Sequence, residues 1–153
     1  MRSLLRSIVL WTFGGTLFFL FEVVWKSAHG NPEAISWTML VLAAIICIPL
    51  DLINEILPWK MPIWQQALLG GLGITAAELV AGLVLNVWLG MGVWDYSHLP
   101  LNLWGQISFV WSLIWVVVAG VGIVLLDWLR YWLYDELRPR YSVLPGRNEY
   151  VYK

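Results

Sequence analysis

Glu78 stands inside an apolar run from 63 to 91 that carries no other charge. A charged side chain at the centre of a bilayer costs roughly 2.5–3.5 kcal/mol even on the lenient insertion scale. An acid placed there therefore marks a ligand or proton path, or a protonated carboxyl that fixes helix packing. Gly82 and Asn86 follow at i+4 and i+8, about 40° and 80° around a helix from Glu78, so the three can border one groove. Asp95, Tyr96, His98, Asn102 and Gln106 make the next loop polar, and Glu22 lies at a depth similar to Asn86 near the outer end of the first apolar run. For Glu22 the default is a solvated helix end. Together Glu22, Glu78, Asn86, Asp95, Tyr96, His98, Asn102 and Gln106 form a ligand-binding set: a few convergent polar groups at an outward mouth.

Other polar residues read as structural. Asp51, Asn54 and Glu55 share a face of the second apolar run, where the i,i+4 acids repel unless Lys60 or Arg130 pairs with them. Asp127 with Arg130 reads the same way. Trp104, Trp111 and Trp115 fall on one stripe of a fourth helix, a packing or lipid-facing face more readily than a ligand-stacking one. His29, His98, Glu33 and Asp95 lack the close spacing of a metal site, and no metal is expected. The chain has no G-x4-G-K-[ST] stretch and hence no ATP-binding loop of its own, nor G-x-S-x-G or H-E-x-x-H. No cofactor is expected.

The elements that must position these residues are membrane helices. The 153 residues are 60% hydrophobic and 12% charged, and the mean hydropathy is positive; soluble domains are about one-quarter charged. Twelve tryptophans, many near the ends of apolar runs, suit the headgroup level. A net charge of −1 gives no reason to expect a nucleic-acid partner. The single cysteine, Cys47, forms no intrachain disulfide. The fold class is an all-α, four-helix integral membrane bundle, with helices about 7–26, 35–57, 63–91 and 103–130, each able to span about 30 Å of hydrocarbon. Residues 1–130 form the transmembrane domain and 131–153 a basic, tyrosine-rich tail. The first helix follows Arg2 and Arg6 and runs into Glu22 and Trp25-Lys26 without an A-x-A-like site, so it is read as uncleaved. Gly14-Gly15, Gly70-Gly71, Gly73, Gly82, Gly120 and Gly122 allow close helix approach.

Arg2, Arg6, Lys60, Arg130, Arg138, Arg140, Arg147 and Lys153 fall on one side of such a bundle and only Lys26 on the other, eight against one. The positive-inside rule then makes both termini cytoplasmic, in a plasma (inner) membrane, and turns the Asp95 and His29 loops outward.

The string from Thr75 to Arg130 carries a resemblance. Thr75, Glu78, Gly82 and Asn86, then Val93-Trp94-Asp95-Tyr96-Ser97, Pro100-Leu101-Asn102, Gly105-Gln106-Ile107 and Trp115 carry it. Phe13-Gly14-Gly15 and Glu22 with Trp25 extend it. In these residues the chain resembles a family of small bacterial membrane proteins labelled putative ABC-transporter type IV, to which animal transmembrane protein 229 is similar. The chain departs at Ile35-Ser36-Trp37-Thr38-Met39, which lacks the family's histidine and follows Gly30-Asn31-Pro32-Glu33. The resemblance implies fold and membrane location and carries no activity with it.

Three functions follow. The first is binding, or helping to transport, a small or lipid-like ligand through the outward groove. The second is a non-catalytic accessory subunit, packing by self-association or within a larger membrane complex. An outer-surface enzyme using Asp95, His98 and a glutamate ranks last, because no nucleophile–base–orienter set can be named.

Overall fold

A computed structural model describes residues 4–29, 35–58 and 61–144. Arg2, Glu33 and the residues beside it, Lys60, Arg147 and Lys153 lie outside these, so the parts of the charge count and metal reading that use them do too.

Hydropathy dictates the main elements. Helix α1 spans Leu4–Ala28, α2 Thr38–Ile56, α3 Ile63–Gly82 and α4 Phe109–Tyr134. All four, α3 together with its continuation to Trp88, are long and apolar enough to cross a membrane. Even α2, with 19 residues, rises about 28 Å, close to the hydrocarbon thickness. The chain is an all-α membrane bundle.

Two bounds differ from the hydropathy reading, each for a local reason. Helix α3 gives way at Leu83–Trp88 to a π-helical stretch, so the helical phase that would align Asn86 with Glu78 is not kept. Helix α4 begins at Phe109 rather than at 103. Before it, β1 (Asn102–Leu103) pairs antiparallel with β2 (Ile107–Ser108), in the register Asn102↔Ser108 and Leu103↔Ile107. The hairpin needs Gly105 at φ +70°, and Leu101 and Trp104 each sit at φ +53°, conformations that exclude a continuous helix. Ser108 then caps α4, its hydroxyl accepting the Trp111 N–H. Trp104 is thus off the α4 stripe and 70% exposed.

The bundle is assembled from two hairpins. Helix α1 packs along α2 and α3 along α4, and the hairpins meet chiefly through α2 and α4. Glycine sets the approach within each hairpin. A Cβ on Gly15 would lie 2.7 Å from the Ala44 backbone nitrogen, and one on Gly71 would lie 2.6 Å from the Val116 Cα. In lipid such close approach, rather than hydrophobic exclusion, drives helix association. Gly73, by contrast, has nothing within 4 Å and makes no contact of this kind. The core runs along the seam: Leu10, Cys47, Leu50, Ile74, Trp115, Ala119, Ile123 and Leu126.

Candidate functional site

One end of the bundle is closed by a folded cap, residues 89–108, that holds most of the polar set. Asn86, on the π-helical stretch, is its anchor. Its Oδ1 accepts the Val93 N–H at 2.7 Å, and its Nδ2 donates to the Trp94 carbonyl and to Gln106 Oε1, both at 3.0 Å. Gln106 donates onward to the Trp104 carbonyl, while its own carbonyl accepts the Trp94 indole N–H at 2.9 Å. The Gln106 side chain fills the space beside Gly82, where a Cβ would come within 2.5 Å of its Oε1. The groove foreseen between Glu78, Gly82 and Asn86 is therefore occupied by the protein's own glutamine.

Asp95 and Asn102 serve the cap's turns. Asp95 accepts the Ser97 N–H at 2.8 Å and the Ser97 hydroxyl at 2.9 Å. Asn102 bonds the Leu99 and Ser97 carbonyls and accepts the Gly105 N–H. The Ser97 donors hold the Asp95 carboxyl below the ordinary aspartate range. The contribution of this turn to cap stability is then present above about pH 4, the unfolded value, and is lost as pH falls through the lower folded value. The protection of the Ser97 amide, its exchange rate relative to the intrinsic rate at the same pH, is expected to hold at pH 5 and to fall only under more acid conditions; a fall between pH 7 and 5 would contradict it. His98 is exposed on the same loop.

Tyr96 links the cap to the interior. Its N–H bonds the Gly105 carbonyl, while its hydroxyl donates to Glu78 Oε1 at 2.9 Å. Burial, with the Glu78 charge beside it, pushes this phenol above its ordinary range, so it stays a donor. The second Glu78 oxygen accepts the Trp115 indole N–H at 2.7 Å. Glu78 is 4% exposed. Around it Tyr96 stacks on Trp111 at 5.8 Å, Trp111 meets Trp115 at 5.8 Å, and Trp115 meets Phe18 of α1 at 5.6 Å.

Glu22 reaches the same region from α1. It is buried rather than solvated, at 9% exposure. Its Oε1 pairs with Lys26 at 2.6 Å, and Lys26 in turn donates to the Val93 carbonyl of the cap at 3.3 Å. Glu22 Oε2 is buried with no hydrogen-bond partner among the described residues.

The eight residues thus separate by role. Glu22, Glu78 and Tyr96 converge on the interior. Asn86, Asp95, Asn102 and Gln106 bind the cap to itself and to the π-helical stretch, and His98 faces outward. The sequence reading missed Trp115 as a Glu78 partner, although an indole N–H in an apolar run must find an acceptor. It also missed the tie between Lys26 and the cap.

A second polar network lies at the opposite end, where α1 begins and α4 ends. Arg130 is 1% exposed and Asp51 is fully buried. Arg130 Nε donates to Asp51 Oδ1 at 2.6 Å and its Nη2 bonds Asp51 Oδ2, while Nη2 also donates to Ser7 at 2.7 Å. Nη1 reaches Glu136, and the Trp11 indole donates to Asp51 at 2.9 Å. Asp127 accepts from Asn54 at 2.6 Å and from the Tyr141 hydroxyl at 2.8 Å. The pairing expected for Asp51 is met by Arg130; the involvement of Ser7, Trp11 and Tyr141 is not visible in the sequence. Tyr141 belongs to residues 135–144, which fold back so that the Ser142 carbonyl accepts the Ile63 N–H.

Among the described residues no group of three or more His, Cys, Asp or Glu is placed to hold a metal ion. His29 stacks on Trp25 at 4.0 Å. A recess of about 780 Å³ lies elsewhere, on the outer face of α3 and α4, and is lined by apolar side chains such as Ala67, Val121 and Trp128. None of the eight residues lines it.

Four membrane-spanning helices, a polar cap and a buried carboxylate beneath it define a multi-pass membrane protein in contact with the bilayer. The family described as "Putative ABC-transporter type IV" matches residues 39–144, and the chain belongs to it. The match takes in α2 to α4 and the whole cap; Glu22 and Phe13-Gly14-Gly15 precede it. No curated protein and no solved structure matches the chain.

Proposed function

We propose that this transport-related membrane protein binds a small or lipid-like ligand at its capped end, with Glu22, Glu78 and Tyr96 as the interior groups and the cap as the closure over them. Glu22 Oε2 carries the reading: a buried carboxylate oxygen with no donor among the described residues. Such an acceptor is costly unless something supplies a hydrogen bond. A ligand offering an N–H or O–H group fits there, and entry requires the cap to lift, which breaks the Tyr96 to Glu78 bond. Asn86, Asp95, His98, Asn102 and Gln106 would act on ligand access through the cap.

The capped end faces outward and the network end, with the chain after Tyr134, where α4 ends, is cytoplasmic, in a plasma membrane. The support is the distribution of basic residues. Arg130 is buried and paired, so it is set aside; the remaining seven against Lys26 still favour that orientation.

The test is native mass spectrometry of protein extracted gently from its own membrane. In a Val121→Trp background, which fills the apolar recess on α3 and α4, a retained small molecule or lipid, lost on adding Glu22→Gln while the fold survives, is the expected result. Full retention after Glu22→Gln in that background would remove the site.

A second reading, an accessory subunit of a larger complex, is favoured by one observation: both Glu78 oxygens are already satisfied by Tyr96 and Trp115, as a packing device requires. An empty bundle with a protein partner at fixed stoichiometry in the same experiment would select this reading.

A further inference from the structure

The apolar recess on α3 and α4 has a basic rim at the network end. Trp128 is common to both: its indole forms part of the recess wall, and the Arg138 guanidinium sits over the same ring at 5.7 Å. Trp64, Trp128 and Trp132 all cluster at that end, the depth at which indoles mark the membrane interface. From there the recess runs along α4 past Val124 and Gly120 to Val116, and at Gly120 a Cβ would come within 3.2 Å of the Ala67 Cβ, so α3 and α4 close its floor.

We infer that this recess holds one phospholipid with an anionic headgroup, an acyl chain lying along α4 and the phosphate at Arg138. The chemistry of wall and rim selects this occupant. From Val116 to Trp132 the α4 wall rises about 24 Å, so it reaches from the interfacial indoles into the depth of the hydrocarbon. Its side chains are apolar along that length, as an acyl chain requires. Arg138 is exposed and lies over the Trp128 wall, and a basic residue at the membrane surface attracts anionic lipid. The site is separate from the capped end and does not depend on any ligand there.

The test is native mass spectrometry of the full chain after equilibration with equal amounts of phosphatidylglycerol and phosphatidylcholine. One bound phosphatidylglycerol per chain is expected, in clear preference to phosphatidylcholine. Arg138→Gln should reduce that preference about fivefold. Val121→Trp should lower occupancy by both lipids about tenfold by filling the recess. Val121 is 63% exposed, so the core is untouched; Val117→Trp, at 67% exposure on the same wall, replaces it should that variant fail to fold. Equal binding of the two lipids, or unchanged occupancy in both tryptophan variants, overturns the inference. So does efficient disulfide dimerisation of Val121→Cys in native membranes, which would place a second copy of the chain in the recess.

Discussion

Arg130→Met is expected to destabilise the bundle by about 3–5 kcal/mol, because it strands a fully buried Asp51 carboxylate. The loss is large because two processes coincide. The ion pair disappears, and so does the donor to Ser7, in a place where water cannot compensate. The pair itself is not a net source of stability, since removing two charges from water costs about as much as their attraction returns. The double variant Asp51→Leu/Arg130→Met is therefore expected to recover most of the loss. Denaturant unfolding in mild detergent reads both. A single variant within about 1 kcal/mol of the native protein would show that Arg130 is not the counter-charge of Asp51.

Glu78 has an effect of similar size, and there the choice of substitution decides how much is lost. Glu78→Leu leaves the Tyr96 hydroxyl and the Trp115 indole N–H buried without acceptors. At about 1–3 kcal/mol for each orphaned donor, the loss is about 2–6 kcal/mol. Glu78→Gln behaves differently. Its carbonyl oxygen can accept the indole N–H, and its amide can donate to the tyrosine hydroxyl, which serves as donor or acceptor. That variant should stay within about 1 kcal/mol of native. Thermal melts, with Trp fluorescence reporting the indole environment, compare the two. Equal loss in both would mean that the negative charge, rather than hydrogen-bond satisfaction, holds the cap down.

How far the sequence discloses this arrangement depends on what enforces each part. The four spans follow from hydropathy alone, because hydrocarbon admits no other way to satisfy the backbone. Glu78 is conspicuous for the same reason: an acid in that setting must have partners. Which partners is another matter. Tyr96 is 18 residues from Glu78 and Trp115 is 37 away, and nothing in local propensity brings them together. The cap is harder still. Leu101 and Trp104 adopt left-handed backbone that their side chains disfavour, so tertiary bonding overrides local preference there. Glu22 reads as solvated by position, yet it is buried, with its partner Lys26 tied to the cap at Val93. Trp104 counts as helical by spacing, yet the hairpin ahead of Ser108 takes it off α4.

The division into two hairpins bears on how the chain is made. Helices α1 and α2 leave the ribosome well before α4, so Asp51 enters the membrane while its counter-charge, Arg130, is still unsynthesised. An unpaired acid on an inserting helix is penalised, and its position near the end of α2 lets it linger at the interface meanwhile. Only when α4 arrives can it sink inward. Residues 135–144 emerge later again, and their bond to Ile63 fastens the first turn of α3 after everything else is in place. A nascent chain stalled after α3 would thus hold the Asp51 carboxylate by the Trp11 indole of its own hairpin but without its counter-charge, which α4 alone brings.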